Sequence, residues 1–148
     1  MPSLNDLPIT TATPSDRPHI LAWDTCDEDG LQSLYFRYGT YRANYAQELL
    51  ARHTQQSKSK YLALDRRISR EIQSLRDIGS TSPRSCVQLE GLDRLITYLA
   101  VSSSSDLGIF WQQLIDLRQL PKRLWIILPN ALVPHDWPLE RLHVVENS

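Results

Sequence analysis

The sequence predicts an α/β domain, a small mixed sheet of about three or more strands with long amphipathic helices, on three observations. HILAW, at 19–23, is a short apolar run set between a proline and an acidic cluster. RLWIIL, at Arg123–Leu128, is a second run, rich in β-branched and aromatic side chains. Between 106 and 120, Ile109, Phe110, Leu114 and Leu117 fall on one side of a helix that Pro121 stops. With ITYLAV at 96–101 as a further strand, the stretch 96–128 reads strand, helix, strand, the pattern of a parallel crossover unit.

Taken in order, the elements begin with an opening of Pro, Ser, Thr and Asp over 1–18 that lacks an apolar period, which predicts a flexible arm before a single globular domain at 19–148. HILAW is the first strand. A helix follows from the acidic cluster, with Leu31, Leu34, Tyr38, Tyr41, Tyr45 and Leu49 at spacings of three and four and Asp27, Glu28 and Asp29 where the helix dipole favours negative charge. Tyr61, Leu64, Ile68, Ile72, Leu75 and Ile78 form a second stripe out of phase with the first, so a break is expected near 53–60. GSTSPRS at 79–85 is a loop by composition, and 86–95 is a short helix or turn before the strand at 96–101. Ser105 is placed as the cap of the next helix, and HVV at 143–145 as a short last strand. The competing architecture is a mainly helical bundle with a minor β-hairpin, because 31–78 is almost continuously helical in pattern.

A chain of 148 residues is the size of one domain, able to bury roughly two thirds of its unfolded surface. Sixteen basic and seventeen acidic residues leave a formal charge of −1, so no global field draws the protein to nucleic acid or anionic lipid. Apolar runs such as 124–128 are too short to span a bilayer, and 1–13 has neither a basic start nor an apolar signal core, which leads us to expect a cytoplasmic protein without a membrane partner. Cys26 and Cys86 show no metal-ligand spacing, and His19, His53, His135 and His143 form no HxxxH or HExxH pattern.

Several constellations are candidates for function. Asp24 and Asp106 each follow an expected strand, with Asp27 just beyond the first, and carboxylates gathered at adjacent strand ends are what holds Mg²⁺ for phosphodiester hydrolysis. Asp24 and Asp106 are the metal ligands in that case. The serines at 102–105 stand where a strand would end and a helix begin, a place for a phosphate in open α/β sheets, although a solvated turn capping the helix is the simpler account. YFRYGTYRANY sets Tyr35 and Phe36 beside Arg37 and Arg42, and such a mixture is typical of protein interfaces. Trp137, in a proline-punctuated loop, is a further candidate anchor. Lys58, Lys60, Arg66, Arg67 and Arg70 lie on one amphipathic stretch that would contact nucleic-acid phosphates, yet Asp65, Glu71 and Asp77 are interleaved with them.

HILAWD together with the Ser-rich turn, Asp106, the helix and LPKRLWIIL resembles the NYN branch of the PIN-like nucleases, with Ser104 at the position of an acid in that family's turn. The resemblance implies a degenerate or active Mg²⁺-dependent site on Asp24, Asp27 and Asp106. TIR-like and other Rossmann-like modules share the same outline. The expectation that best fits the whole chain is a non-catalytic protein–protein interaction module, an adaptor or regulatory subunit of a cytoplasmic complex, needing no cofactor. Its partner would be a protein, with a second copy of the chain among the candidates. The alternative is the nuclease-like or nucleic-acid-binding domain.

Overall fold

A computed structural model of the chain describes residues 7–9, 11–45, 68–102 and 104–145. Strands β1 (His19–Ala22), β2 (Tyr41–Asn44), β3 (Cys86–Glu90), β4 (Arg123–Leu128) and β5 (Leu142–Val144) form one sheet in the order β2-β3-β4-β1-β5. Every neighbouring pair is parallel, so the mixed sheet expected from the sequence is a parallel α/β sheet. The helices are α1 (Glu28–Tyr38), α2 (Ile68–Thr81), α3 (Asp93–Ser102) and α4 (Ser104–Asp116). Two short 3₁₀ turns, Asn130–Leu132 and Leu139–Arg141, lie between β4 and β5.

Alternation along the strands sends their side chains into two cores. Ile20, Ala43, Val87, Leu89, Leu124, Ile126 and Leu128 face α2, α3, α4 and Trp137. Leu21, Cys86, Trp125 and Ile127 face α1, through Leu31 and Leu34, on the other side. Strands buried on both faces read as continuous apolar runs, which is why HILAW and RLWIIL stand out in the sequence. The bundle alternative is thereby excluded.

Several expectations are corrected. The helix after the acidic cluster ends at Tyr38, because Gly39 adopts φ 64° and its N–H donates to the Tyr35 carbonyl at 3.0 Å, closing the last turn in a conformation that disfavours a side chain. Tyr41 and Tyr45 therefore do not share a helical stripe with Tyr38; Tyr41 opens β2. Residues 96–101 belong to α3, where Leu92, Leu95, Ile96 and Leu99 are buried at helical spacing. The strand of the crossover unit is β3 instead, so 86–90 is neither helix nor turn. Its polar centre, Gln88, is buried with its amide satisfied, accepting from Thr40 Oγ1 at 2.9 Å and donating to the Leu31 carbonyl at 3.2 Å.

Ser105 lies inside the first turn of α4 rather than before it. The opening segment, expected to be a solvated arm, contributes Leu7, Ile9 and Ala12 to the core on the α1 side. Donors from the sheet tie it down. Trp125 Nε1 donates to the Ile9 carbonyl at 3.1 Å, His19 Nε2 to that of Pro14 at 2.8 Å, and Arg123 to that of Ala12. The described residues of the segment form a strap whose Leu7, Ile9 and Ala12, too sparse to show a period, share the core of that face with Leu31 and Leu34 of α1.

Candidate functional site

The connections fix where an open sheet exposes its loops. From β1 the chain leaves through α1 on one face, whereas from β4 it leaves through the Trp137 loop on the other. β1 and β4 are neighbours, so their carboxyl ends flank a topological switch point, where doubly wound sheets bind ligands. A cleft of about 200 Å³ opens there. Trp23, Leu31, Ile127, Leu128 and Pro129 form its apolar walls, and Cys26, Glu90, Gly91 and Asp93 supply the remainder.

Local sequence builds each wall. Trp23 continues β1, and its N–H donates to the Leu128 carbonyl at 2.8 Å. The indole lies against the first turn of α1, where a Cβ on Gly30 would approach its ring to 2.4 Å, so only glycine fits. Asp27 caps α1 by accepting the Gly30 N–H at 2.8 Å. Asp24 spans the switch point, accepting the Asn130 backbone N–H at 2.8 Å and its side-chain amide at 3.2 Å, and these bonds hold its carboxyl below the usual carboxylate range. Gly91, at φ 86°, turns the chain from β3 into α3, which brings Asp93 to the rim.

Arg42 on β2 joins the surrounding carboxylates. Its Nε and Nη2 contact Glu90 at 2.8 and 2.9 Å, and Nη1 contacts Glu28 at 2.7 Å. The Glu28 carboxyl is lowered by this bonding and Arg42 is held more firmly protonated. Next to them, burial pushes the Cys26 thiol up to about 11, with Glu90 and Asp27 adding to the effect. A protonated thiol is a poor nucleophile. The helices beginning around the cleft carry acids in their own first turns, Glu28 and Asp29 in α1 and Asp93 in α3, so the dipole ends that would attract a phosphate are already next to negative charge.

The residues singled out by the sequence are thus dispersed. Asp24 and Asp27 stand at the carboxyl end of β1, one bonded across the switch point and the other capping a helix. Asp106 lies in the first turn of α4, preceded by α3 rather than by a strand, so the strand–turn–Asp–helix order of the nuclease resemblance is not present. Among the described residues, no group of three or more His, Cys, Asp or Glu is placed to hold a metal ion.

Tyr35, Phe36 and Arg37 occupy the last turn of α1. Phe36 is 76% exposed, with the half-buried Tyr35 ring set edge-on to it at 5.2 Å. Arg42 is not with them; it lies on β2 within its ion pairs. Trp137 is no surface anchor either, being buried in the core with its Nε1 donating to the Arg141 carbonyl at 3.0 Å and the Arg141 guanidinium 4.9 Å from its ring. Lys58, Lys60, Arg66 and Arg67 lie outside the described residues, and Arg70 belongs to α2.

The cleft residues Trp23, Glu90, Gly91 and Asp93 are not apparent from the sequence, in which the strand that positions three of them has the pattern of a helix or turn. The alternation of Cys86, Gln88 and Glu90 against Val87 and Leu89 was the signal that could have found them. No helix among the described residues is long and apolar enough to cross a membrane. Compared with known proteins, the chain matches no family model, no curated protein and no solved structure.

Proposed function

We propose that the protein is a non-catalytic interaction module that docks another protein through the last turn of α1. Phe36 carries the proposal. A phenylalanine three-quarters exposed gains nothing for folding from its ring, whereas beside Tyr35 and Arg37 it supplies apolar area with polar flanks, the composition of an interface hot spot. The state of the switch point favours the same conclusion. Asp24, Asp27, Glu28 and Glu90 are each engaged by a donor of the chain itself, and the one thiol there is held protonated.

The test compares tagged wild-type protein with Phe36→Ser and Arg37→Glu. A stoichiometric partner, or a second copy of the chain detected by sedimentation, should be retained by the wild type and lost by more than tenfold in Phe36→Ser. The melting temperature should hardly move, as expected for an exposed site. Equal retention by both variants, or a single monomeric species with no partner, overturns the proposal.

A further inference from the structure

We infer that the cleft at the switch point is a binding site for a small organic cation, an ammonium group carried on a compact apolar body. This stands apart from docking through α1 and rests on the shape and chemistry of the cavity. At about 200 Å³ it is smaller than the ~300–1,000 Å³ of pockets for drug-sized ligands, so it admits only a fragment-sized molecule. Much of its wall is carbon, from Trp23, Leu31, Ile127, Leu128 and Pro129. Those walls reward an apolar body. They do not suit a bare divalent ion, which requires about six oxygen ligands.

The polar side of the cavity selects the charge of the ligand. Glu90 and Asp93 both face it, and Glu90 is held in place by two bonds from Arg42. Of the two carboxylates that line the cavity, Asp93 is the one that no hydrogen bond or ion pair engages among the described residues. An ammonium placed between the apolar wall and Asp93 would complete this pairing, whereas an anion would meet two carboxylates and no uncommitted cation. After desolvation, which is the larger cause, Glu90 and Asp27 also contribute to the raised Cys26 thiol.

Benzylamine is the probe, with benzyl alcohol as its uncharged counterpart and Mn²⁺ as the metal control, each titrated to millimolar concentration into ¹⁵N-labelled full-length protein. Benzylamine should saturate shift changes clustered at Cys26, Gly91 and Asp93, with benzyl alcohol at least tenfold weaker and Mn²⁺ producing no localised effect there. Asp93→Asn, a substitution compatible with a helix start, should weaken benzylamine at least tenfold while leaving the remaining spectrum in place. If that variant loses its folded spectrum, the wild-type comparison of amine with alcohol still decides. Equal effects of amine and alcohol, perturbations scattered over surface carboxylates, unchanged affinity in Asp93→Asn, or Mn²⁺ occupying the cleft in place of the amine would each overturn the inference.

Discussion

At the amino end of β1, His19 donates from Nε2 to the Pro14 carbonyl and turns Nδ1 towards His143 Nε2 at 3.3 Å, beneath a strap tied down by Trp125 and Arg123. At the carboxyl end of the same strand, Asp24, Cys26 and Asp27 lead into an open cleft rimmed by Glu90 and Asp93. The first end is closed by the chain's own backbone carbonyls, each met by a side-chain donor. Its imidazoles are stacked, with His19 and His143 centroids at 5.5 Å and Trp125 and His143 at 4.6 Å. The second end gathers carboxylates and, among the described residues, leaves Asp93 on the cleft rim unengaged. One end of the sheet is thus built for stability, and the other keeps the polar groups and the open volume from which a site can be made.

The largest expected effect lies under the strap. Ile9 is 2% exposed and packs with the core on the α1 side. Ile9→Ala should cost about 3 kcal/mol in urea unfolding, the sum of lost transfer free energy and the cavity left behind. A loss below about 1 kcal/mol would mean that the strap rests on the sheet without sharing its core, and the contrast between the ends would fail.

Acid provides the next test. Burial lowers the pKa of His19, and burial followed by the charge of His19 lowers that of His143 to about 4. The carbonyl of Pro14 only accepts, so His19 carries a proton on Nε2 and, in the neutral ring, offers Nδ1 as an acceptor to His143. The unfolded chain takes up the His143 proton near pH 6.5 and the folded chain only nearer 4, so stability is full above about 6.5 and declines as pH falls towards 4, with the lowered His19 acting in the same direction. The melting temperature should drop by several degrees between pH 7.5 and 5, and His143→Gln should flatten that slope. A slope unaltered in the variant would place the acid sensitivity elsewhere.

The same contrast explains what could be read from the sequence. β1 and β4 were legible because both faces of each are buried, which writes itself as an unbroken apolar run. β3 was not, because Gln88 is a buried polar residue whose partners, Thr40 and the Leu31 carbonyl, lie 48 and 57 positions away in the chain. Tyr41 and Tyr45 continued the helical period of Tyr38 by coincidence of spacing, and only the left-handed turn at Gly39 separates them. The strap was invisible for another reason: Leu7, Ile9 and Ala12 follow the contour of a sheet face and carry no period of their own. At the cleft, Asp24 and Asp27 were recognised as residues but not their roles, since Asn130 and Gly30 engage them only in the folded chain. Asp106 follows α3, whose β-branched and aromatic residues carry a strand-like pattern in the sequence although they are buried at helical spacing.

The smallest change in folding is expected at Cys26, where Cys26→Ser should shift stability by less than about 0.5 kcal/mol, as for exposed positions generally. Its chemistry is nevertheless distinctive. With the thiol pushed up to about 11, only about one molecule in a thousand carries a thiolate at pH 8, against roughly a quarter for an ordinary cysteine. Alkylation by iodoacetamide proceeds through the thiolate, so Cys26 should react at least about tenfold more slowly than free cysteine, its sulfur being desolvated although the residue as a whole is exposed. Burial is the leading cause of the shift and Glu90 the next, so Glu90→Gln should speed the reaction several-fold while leaving it slower than free cysteine. Cys86, buried near the strap with its thiol pushed up to about 12 and its Sγ directed at the Ile9 carbonyl at 3.8 Å, should react only on unfolding. Rapid labelling of Cys26 in the folded protein would show that the thiol is neither desolvated nor raised by the carboxylates at this end, and an unchanged rate in Glu90→Gln would remove the electrostatic half of the contrast.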